Sequence, residues 1–132
     1  MRERLPPDNP IEWLNRAKSS LALAKMGSID IYREDLCFQA QQGAEKAIKA
    51  VYISKNIIFP YIHDISRLLS ILEEKGVIIP SEIKCASKLT TYASQTRYPG
   101  LDTPVHNEEY QEALIFTERV IRWAEKTMEQ FS

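Results

Sequence analysis

The middle of the chain carries a ladder of small side chains, Ala40, Gly43, Ala44, Ala47 and Ala50, that recur at helical spacing. Residues three and four apart share a face of an α-helix, so these positions make a stripe without bulky side chains. A neighbouring helix can approach such a stripe closely, which places the segment at the centre of a helical bundle. The predicted helix runs from about Asp30 to Asn56, with Phe38, Ile48, Val51 and Tyr52 widening its apolar surface. Pro60 is expected to end it, because proline disfavours helix at the preceding Phe59 and donates no backbone hydrogen bond.

Other helices are expected around this one. Asp8-Asn9-Pro10 supplies a capping residue followed by a first-turn proline, and Glu12 adds negative charge to that turn. Leu14, Ala17, Leu21 and Ala24 then keep helical spacing as far as Gly27, a suitable stop. Ile65, Leu68, Leu69 and Leu72 make the stripe of a short third helix closed by Gly76. A fourth opens at Pro80-Ser81-Glu82 and carries Ile83, Ala86, Leu89, Thr90 and Tyr92. Residues 96–106 contain two prolines and a glycine and read as an ordered turn or loop. The last helix starts near Asn107 and buries Tyr110, Ala113, Leu114, Thr117, Val120, Ile121, Ala124 and Met128. No stretch alternates with period two over a useful length, and Ile57-Ile58-Phe59 is too close to Pro60 to hold a sheet. The expected fold is all-α, an antiparallel up-and-down bundle of about five helices, four long or medium and one short. A length of 132 residues with 44% hydrophobic side chains suits a single domain, 1–132, with its core in about 11–127.

Charge and cysteine content narrow the function classes. The net charge is -1, so no global basic field concentrates nucleic acid. Cys37 and Cys85 stand far apart without CxxC spacing and read as two buried free thiols in a reducing compartment. The opening MRERLPPDNP has no apolar run of the secretory kind, and no segment approaches the ~20 apolar residues of a membrane span. A cytoplasmic protein is expected. The chain contains no phosphate-binding glycine loop, no HExxH, no GxSxG and no cluster with metal-ligand spacing, so neither a metal nor a cofactor is expected.

Two polar features hold candidate site residues. Gln41, Glu45 and Lys49 fall at i, i+4 and i+8, with Gln42 and Lys46 beside them. They read either as a solvated face supported by i, i+4 pairing or as a polar network inside the bundle, since buried glutamine must find partners. His63-Asp64 stands at the entry to the third helix, either capping it or forming a polar pair beside a nucleotide or partner.

The ordered set FQAQQGAEKAIKA, then His63-Asp64 ahead of Leu68-Leu69, then Tyr92 and Thr96-Arg97-Tyr98-Pro99, resembles the HEPN family, named for higher eukaryote and prokaryote nucleotide binding. Trp13 and its helix match the family's opening helix, and the resemblance spans about residues 11–127. It implies a bundle similar to the helical C-terminal domain of kanamycin nucleotidyltransferase. It further implies a homodimer and a non-catalytic interaction or nucleotide-binding module, with a separately encoded minimal nucleotidyltransferase as partner, the two forming a toxin–antitoxin pair. Gln42, Lys46, Lys49, His63, Arg97 and Tyr98 are the ligand or partner candidates; a stand-alone nucleotide-binding protein would use Lys46, Lys49 and Arg97 as phosphate ligands. Some relatives are metal-independent ribonucleases, and the alternative here is a ribonuclease toxin acting on RNA through Arg97 and His106. The chain departs from that pattern. Tyr98-Pro99 follows the arginine where the family has a polar residue, and eight residues with two prolines separate Arg97 from His106.

Overall fold

The computed structural model describes residues 1–93 and 104–129. Its order is α1 (Pro10–Ala24), α2 (Arg33–Ser54), α3 (Ile65–Glu74), a single turn α4 (Ser81–Lys84) that tightens into the 3₁₀ helix η1 (Cys85–Tyr92), and α5 (Asn107–Glu129). No strand occurs among the described residues, and the all-α reading holds.

The caps explain the boundaries. Asn9 accepts a hydrogen bond from the Ile11 amide at 2.9 Å, with Pro10 in the first position of α1, where its missing N–H costs nothing. That helix stops at Ala24, ahead of Gly27, and among the described glycines only Gly76 has a positive φ. The end of α2 is made by Asn56 rather than Pro60. Asn56 takes a left-handed φ of 58°, and the Ile57 amide reaches back to the Tyr52 carbonyl at 2.9 Å. The same closure ends α3, with Gly76 at φ 94° and the Val77 amide on the Leu72 carbonyl at 3.0 Å.

The fourth helix differs from the medium α-helix expected. Only one turn is α-helical, and eight residues follow as 3₁₀, a long run for that geometry. Leu89-Thr90-Thr91-Tyr92 ends it with β-branched and aromatic residues of low helix propensity. There the Thr90 hydroxyl accepts the Ile65 amide at 3.1 Å, supplying a partner for an orphan donor at the start of α3.

α2 is the axis of the fold. It packs on α1 and α5, which also touch each other, while α3 and η1 close another side. The ladder is wholly inside: Ala40, Ala44, Ala47 and Ala50 have no exposed surface. At Gly43 the packing is tightest. A Cβ there would lie 2.9 Å from Thr117 Cγ2 on α5 and 3.2 Å from the Ala17 carbonyl oxygen on α1. Thr117 cannot easily turn away, because its hydroxyl donates to the Ala40 carbonyl at 2.8 Å. Tyr52 and Tyr110 are buried and donate to the carbonyls of Leu68 and Ala24; burial pushes the Tyr52 phenol up to about 12. The long last helix buries Phe116 and Trp123 as well as most of the expected stripe, leaving Leu114 and Met128 at its margin. Cys37 is a buried thiol as expected, but Cys85 is exposed, since it opens the 3₁₀ segment between the buried Ile83 and Ala86.

On an exposed helix, glycine to alanine gains up to ~1 kcal/mol. At Gly43 the sign should reverse. Gly43→Ala is expected to destabilise by ~1–3 kcal/mol in chemical denaturation through overpacking, and adding Thr117→Ser, which removes Cγ2 but keeps the hydroxyl, should recover part of the loss.

Candidate functional site

The face Gln41, Glu45, Lys49 is buried, not solvated, and forms a network. Helical spacing aligns the three side chains, and the segment 57–63, released from α2 by the Asn56 turn, folds back over their end. The Glu45 carboxylate is the hub. One oxygen accepts from Gln41 Nε2 at 3.1 Å and meets His63 Nδ1 at 2.8 Å, while the other accepts from Lys49 Nζ at 3.0 Å. A carboxylate only accepts, so Nδ1 must carry the hydrogen, which leaves Nε2 of a neutral ring as acceptor or base. The His63 side chain is 65% exposed against 4% for Glu45, so the pair runs from core to surface. Gln42 Nε2 extends the network by donating to Gln41 Oε1 at 2.8 Å.

An aromatic wall stands beside these charges. Phe59 meets Trp13, Tyr52 and Tyr61 edge-on, with centroids 5.3, 6.3 and 6.3 Å away, and Lys49 Nζ lies 5.2 Å from the Phe59 ring centre. Phe59 is thus partly covered by the bundle, whereas Tyr61 and Ile58 are almost fully exposed. Trp13 is held from its other edge, where Nε1 donates to the Pro7 carbonyl at 2.8 Å. The N-terminal strap 1–9 is tied along α1 by that bond, by Arg2 on Asn15, and by the Leu5 amide on buried Glu12 at 2.9 Å. The Leu5 amide, then Arg16, holds the Glu12 carboxyl below its usual value.

The candidates separate into distinct places. Lys49 and His63 meet at Glu45, and Gln42 joins through Gln41. Lys46 points to α1 instead, donating to Ser20 Oγ at 3.0 Å; burial and then nearby Arg16 lower its pKa. Of His63-Asp64, Asp64 caps α3 by accepting the Arg67 amide, while His63 pairs with Glu45. Arg97 and Tyr98 lie outside the described residues. His106 is exposed just before α5, its amide donating to Glu109 Oε1 at 3.3 Å. The adjoining Val105 is pinned to Arg33 and Glu34. With ~1.5 Å of rise per residue, Glu34 and Glu45 stand roughly 16 Å apart along α2, so His106 stands well away from His63. Phe59 is a site member that sequence reasoning did not select, and Glu45 was singled out there only as part of the polar face, not as a ligand or partner candidate. The signal for Glu45 was its place between Gln41 and Lys49 on a helix otherwise lined with small residues. No group of three or more metal-ligating side chains occurs among the described residues.

A family model described as the HEPN domain matches residues 11–127. Among solved structures, TT1696 from Thermus thermophilus is similar at 29% identity and a TM-score of 0.79, covering 91% of this chain and 98% of that one. ST0689, described as an archaeal HEPN homologue, shares the fold at 23% identity and a TM-score of 0.70, covering 96% of this chain and 99% of its own. A comparison with curated proteins gave no match.

The two buried carboxylates, Glu45 and Glu12, each give a testable outcome. Glu45→Gln leaves the Lys49 ammonium buried without its counter-charge and should cost about 3 kcal/mol or more in denaturant titration, and adding Lys49→Met should restore most of it. A carboxyl with a lowered native pKa contributes stability that is complete above its unfolded value, 4.5, and is lost as pH falls through the native value. In a Trp123→Phe background, Trp13 fluorescence should therefore hold down to about that pH and change below it; Glu12→Gln should flatten the acid transition.

Proposed function

This chain belongs to the HEPN domain family, and from that membership we propose that it is a non-catalytic binding module that docks on a separately encoded minimal nucleotidyltransferase and takes a nucleotide at the network around Glu45. The observation that carries this reading is a surface of mixed chemistry. Exposed Tyr61 and Ile58 project beside Phe59 and Trp13, and the same segment presents His63 on a buried carboxylate. Exposed apolar and aromatic groups on a preorganised support are what a protein contact needs, because little side-chain freedom is lost on association. The aromatic edges and the imidazole suit a base and its polar substituents. We include in the proposal a homodimer, a cytoplasmic setting and a toxin–antitoxin relation to the nucleotidyltransferase.

A catalytic reading, a metal-independent ribonuclease using Arg97 and His106, competes with it. Within one chain the Glu45–His63 pair stands too far along α2 to act on the same phosphodiester as His106. That centre would rest on Arg97 and His106 alone or on two copies.

The test is co-expression with a minimal nucleotidyltransferase from the same genome, followed by light scattering and incubation of the pure chain with single-stranded RNA and tRNA. A stable complex, weakened at least tenfold by Tyr61→Ala, a dimeric mass for the chain alone and intact RNA are expected. Metal-independent cleavage lost in both Arg97→Ala and His106→Ala would put the ribonuclease in its place.

A further inference from the structure

The outer face of α5 carries a pattern that the bundle itself does not use. Its inner face is seated by Thr117 at Gly43 and by Val120 and Trp123 in the core. On the other side, Glu108, Glu112, Ile115, Arg119, Arg122 and Lys126 are exposed and recur at alternating steps of four and three, which keeps them in one stripe. The charges along it are segregated. Its first half is acidic, its second half is basic, and Ile115, 48% exposed, stands between them. Like charges one turn apart work against a helix, and Glu108 with Glu112, Arg119 with Arg122, and Arg122 with Lys126 are such pairs. None of these charged side chains forms an ion pair or hydrogen bond among the described residues, and the flanking Glu118 and Glu125 are taken by Lys25 and Lys18 of α1. The helix dipole accounts for Glu108 in the first turn and Lys126 in the last, but its effect fades within a turn. Glu112, Arg119 and Arg122 stand beyond its reach.

We infer that this face of α5 is a self-complementary surface on which a second copy of the chain packs antiparallel, with a two-fold axis at Ile115. Reversing the helix about that residue sets Glu108 opposite Arg122 of the second copy and Glu112 beside its Arg119, and the two-fold repeats both pairs. Ile115 meets its own counterpart on the axis. Opposite signs then face each other along the whole stripe, so the like charges crowded on each helix gain counter-charges. With ~1.5 Å of rise per residue, Glu108 and Arg122 stand roughly 21 Å apart, which spreads the pairs along the contact. A repeat of alternating threes and fours keeps such a stripe against a neighbouring helix crossed at roughly 20°. A parallel copy would set acid on acid and base on base, and a partner of uniform charge would be repelled by half of the stripe. Charge therefore selects both the occupant and its direction. Ile78, 84% exposed, adds apolar surface beside the basic half, because its carbonyl accepts Trp123 Nε1 at 3.3 Å. The inference rests on the homodimer included in the functional reading and names its surface.

Charge reversal in the full chain, read by light scattering at low salt, tests this. Glu108→Arg with Glu112→Arg makes the stripe basic, and Arg119→Glu with Arg122→Glu makes it acidic apart from Lys126. Each double variant alone should raise the dimer dissociation constant at least tenfold while keeping the parent's circular dichroism spectrum. An equimolar mixture of the two should regain the dimer mass, since a basic stripe then meets an acidic one. In a Cys85→Ser background, which removes the exposed thiol, Ile115→Cys should form a disulfide-linked dimer on mild oxidation. Lys126→Cys, far from the axis, should not. Dimers that survive both reversals, a mixture that stays monomeric, or equal cross-linking at both positions would overturn the α5 surface. The first of these would leave the homodimer standing on another face, whereas a monomeric parent would remove the dimer itself, so the two failures are told apart.

Discussion

Everything in this bundle depends on the absence of a single side chain at Gly43. Helix axes normally stay 8–10 Å apart because side chains lie between them. Here the α1 backbone at Ala17 and the Thr117 methyl of α5 both press on one α-carbon of α2. The alanines on either side continue the close approach, so three helices share a line of contact instead of meeting in pairs. With α2 enclosed, the polar groups on its remaining face have little access to water. They must therefore satisfy one another.

That enclosure explains the form of the site. A carboxylate at position 45 in open solvent would be one member of an ordinary surface pair worth a few tenths of a kcal/mol. Under the 57–63 segment it is desolvated, and its two oxygens are shared among an amide, an ammonium and an imidazole. Glu12 repeats the pattern on α1, buried under the strap and held by a backbone amide and a guanidinium. Both carboxylates fix a non-helical segment against a helix, one at each side of Trp13 and Phe59. The aromatic wall is therefore positioned from both ends.

Much of this was legible in the residues. Local signals were read correctly where few residues decide the outcome: a cap within Asp8-Asn9-Pro10, Gly76 as a stop, and the Ile65–Leu72 stripe as a buried face. The small-residue ladder identified the central helix because an unbroken stripe of small side chains serves little besides close helix approach. Where several residues compete, the sequence was less informative. Pro60 was a plausible terminator for α2, but Asn56 ends the helix first, its left-handed φ returning the Ile57 amide to the Tyr52 carbonyl. The 3₁₀ stretch after Lys84 reflects the tertiary demand that Thr90 reach Ile65, which no periodicity encodes. In the site, the spacing of Gln41, Glu45 and Lys49 was visible, yet its burial was set by a segment folding back from residues later in the chain. His63 could be seen as polar but not as the partner of Glu45, eighteen residues earlier.

The contact between Thr117 and α2 also has a mechanical meaning. Its methyl sits in the notch at Gly43 while its hydroxyl holds the Ala40 carbonyl almost a turn earlier, so one side chain engages α2 at two heights. A helix seated this way resists sliding along its neighbour, because a shift of even one residue, ~1.5 Å, lifts the methyl out of the notch and breaks the bond together. Rocking about the same point disturbs neither as much. Forces applied at the exposed end of α5 are thus converted into tilt about Thr117 rather than into axial travel, and the axial register between the two longest helices is kept like teeth in a gear.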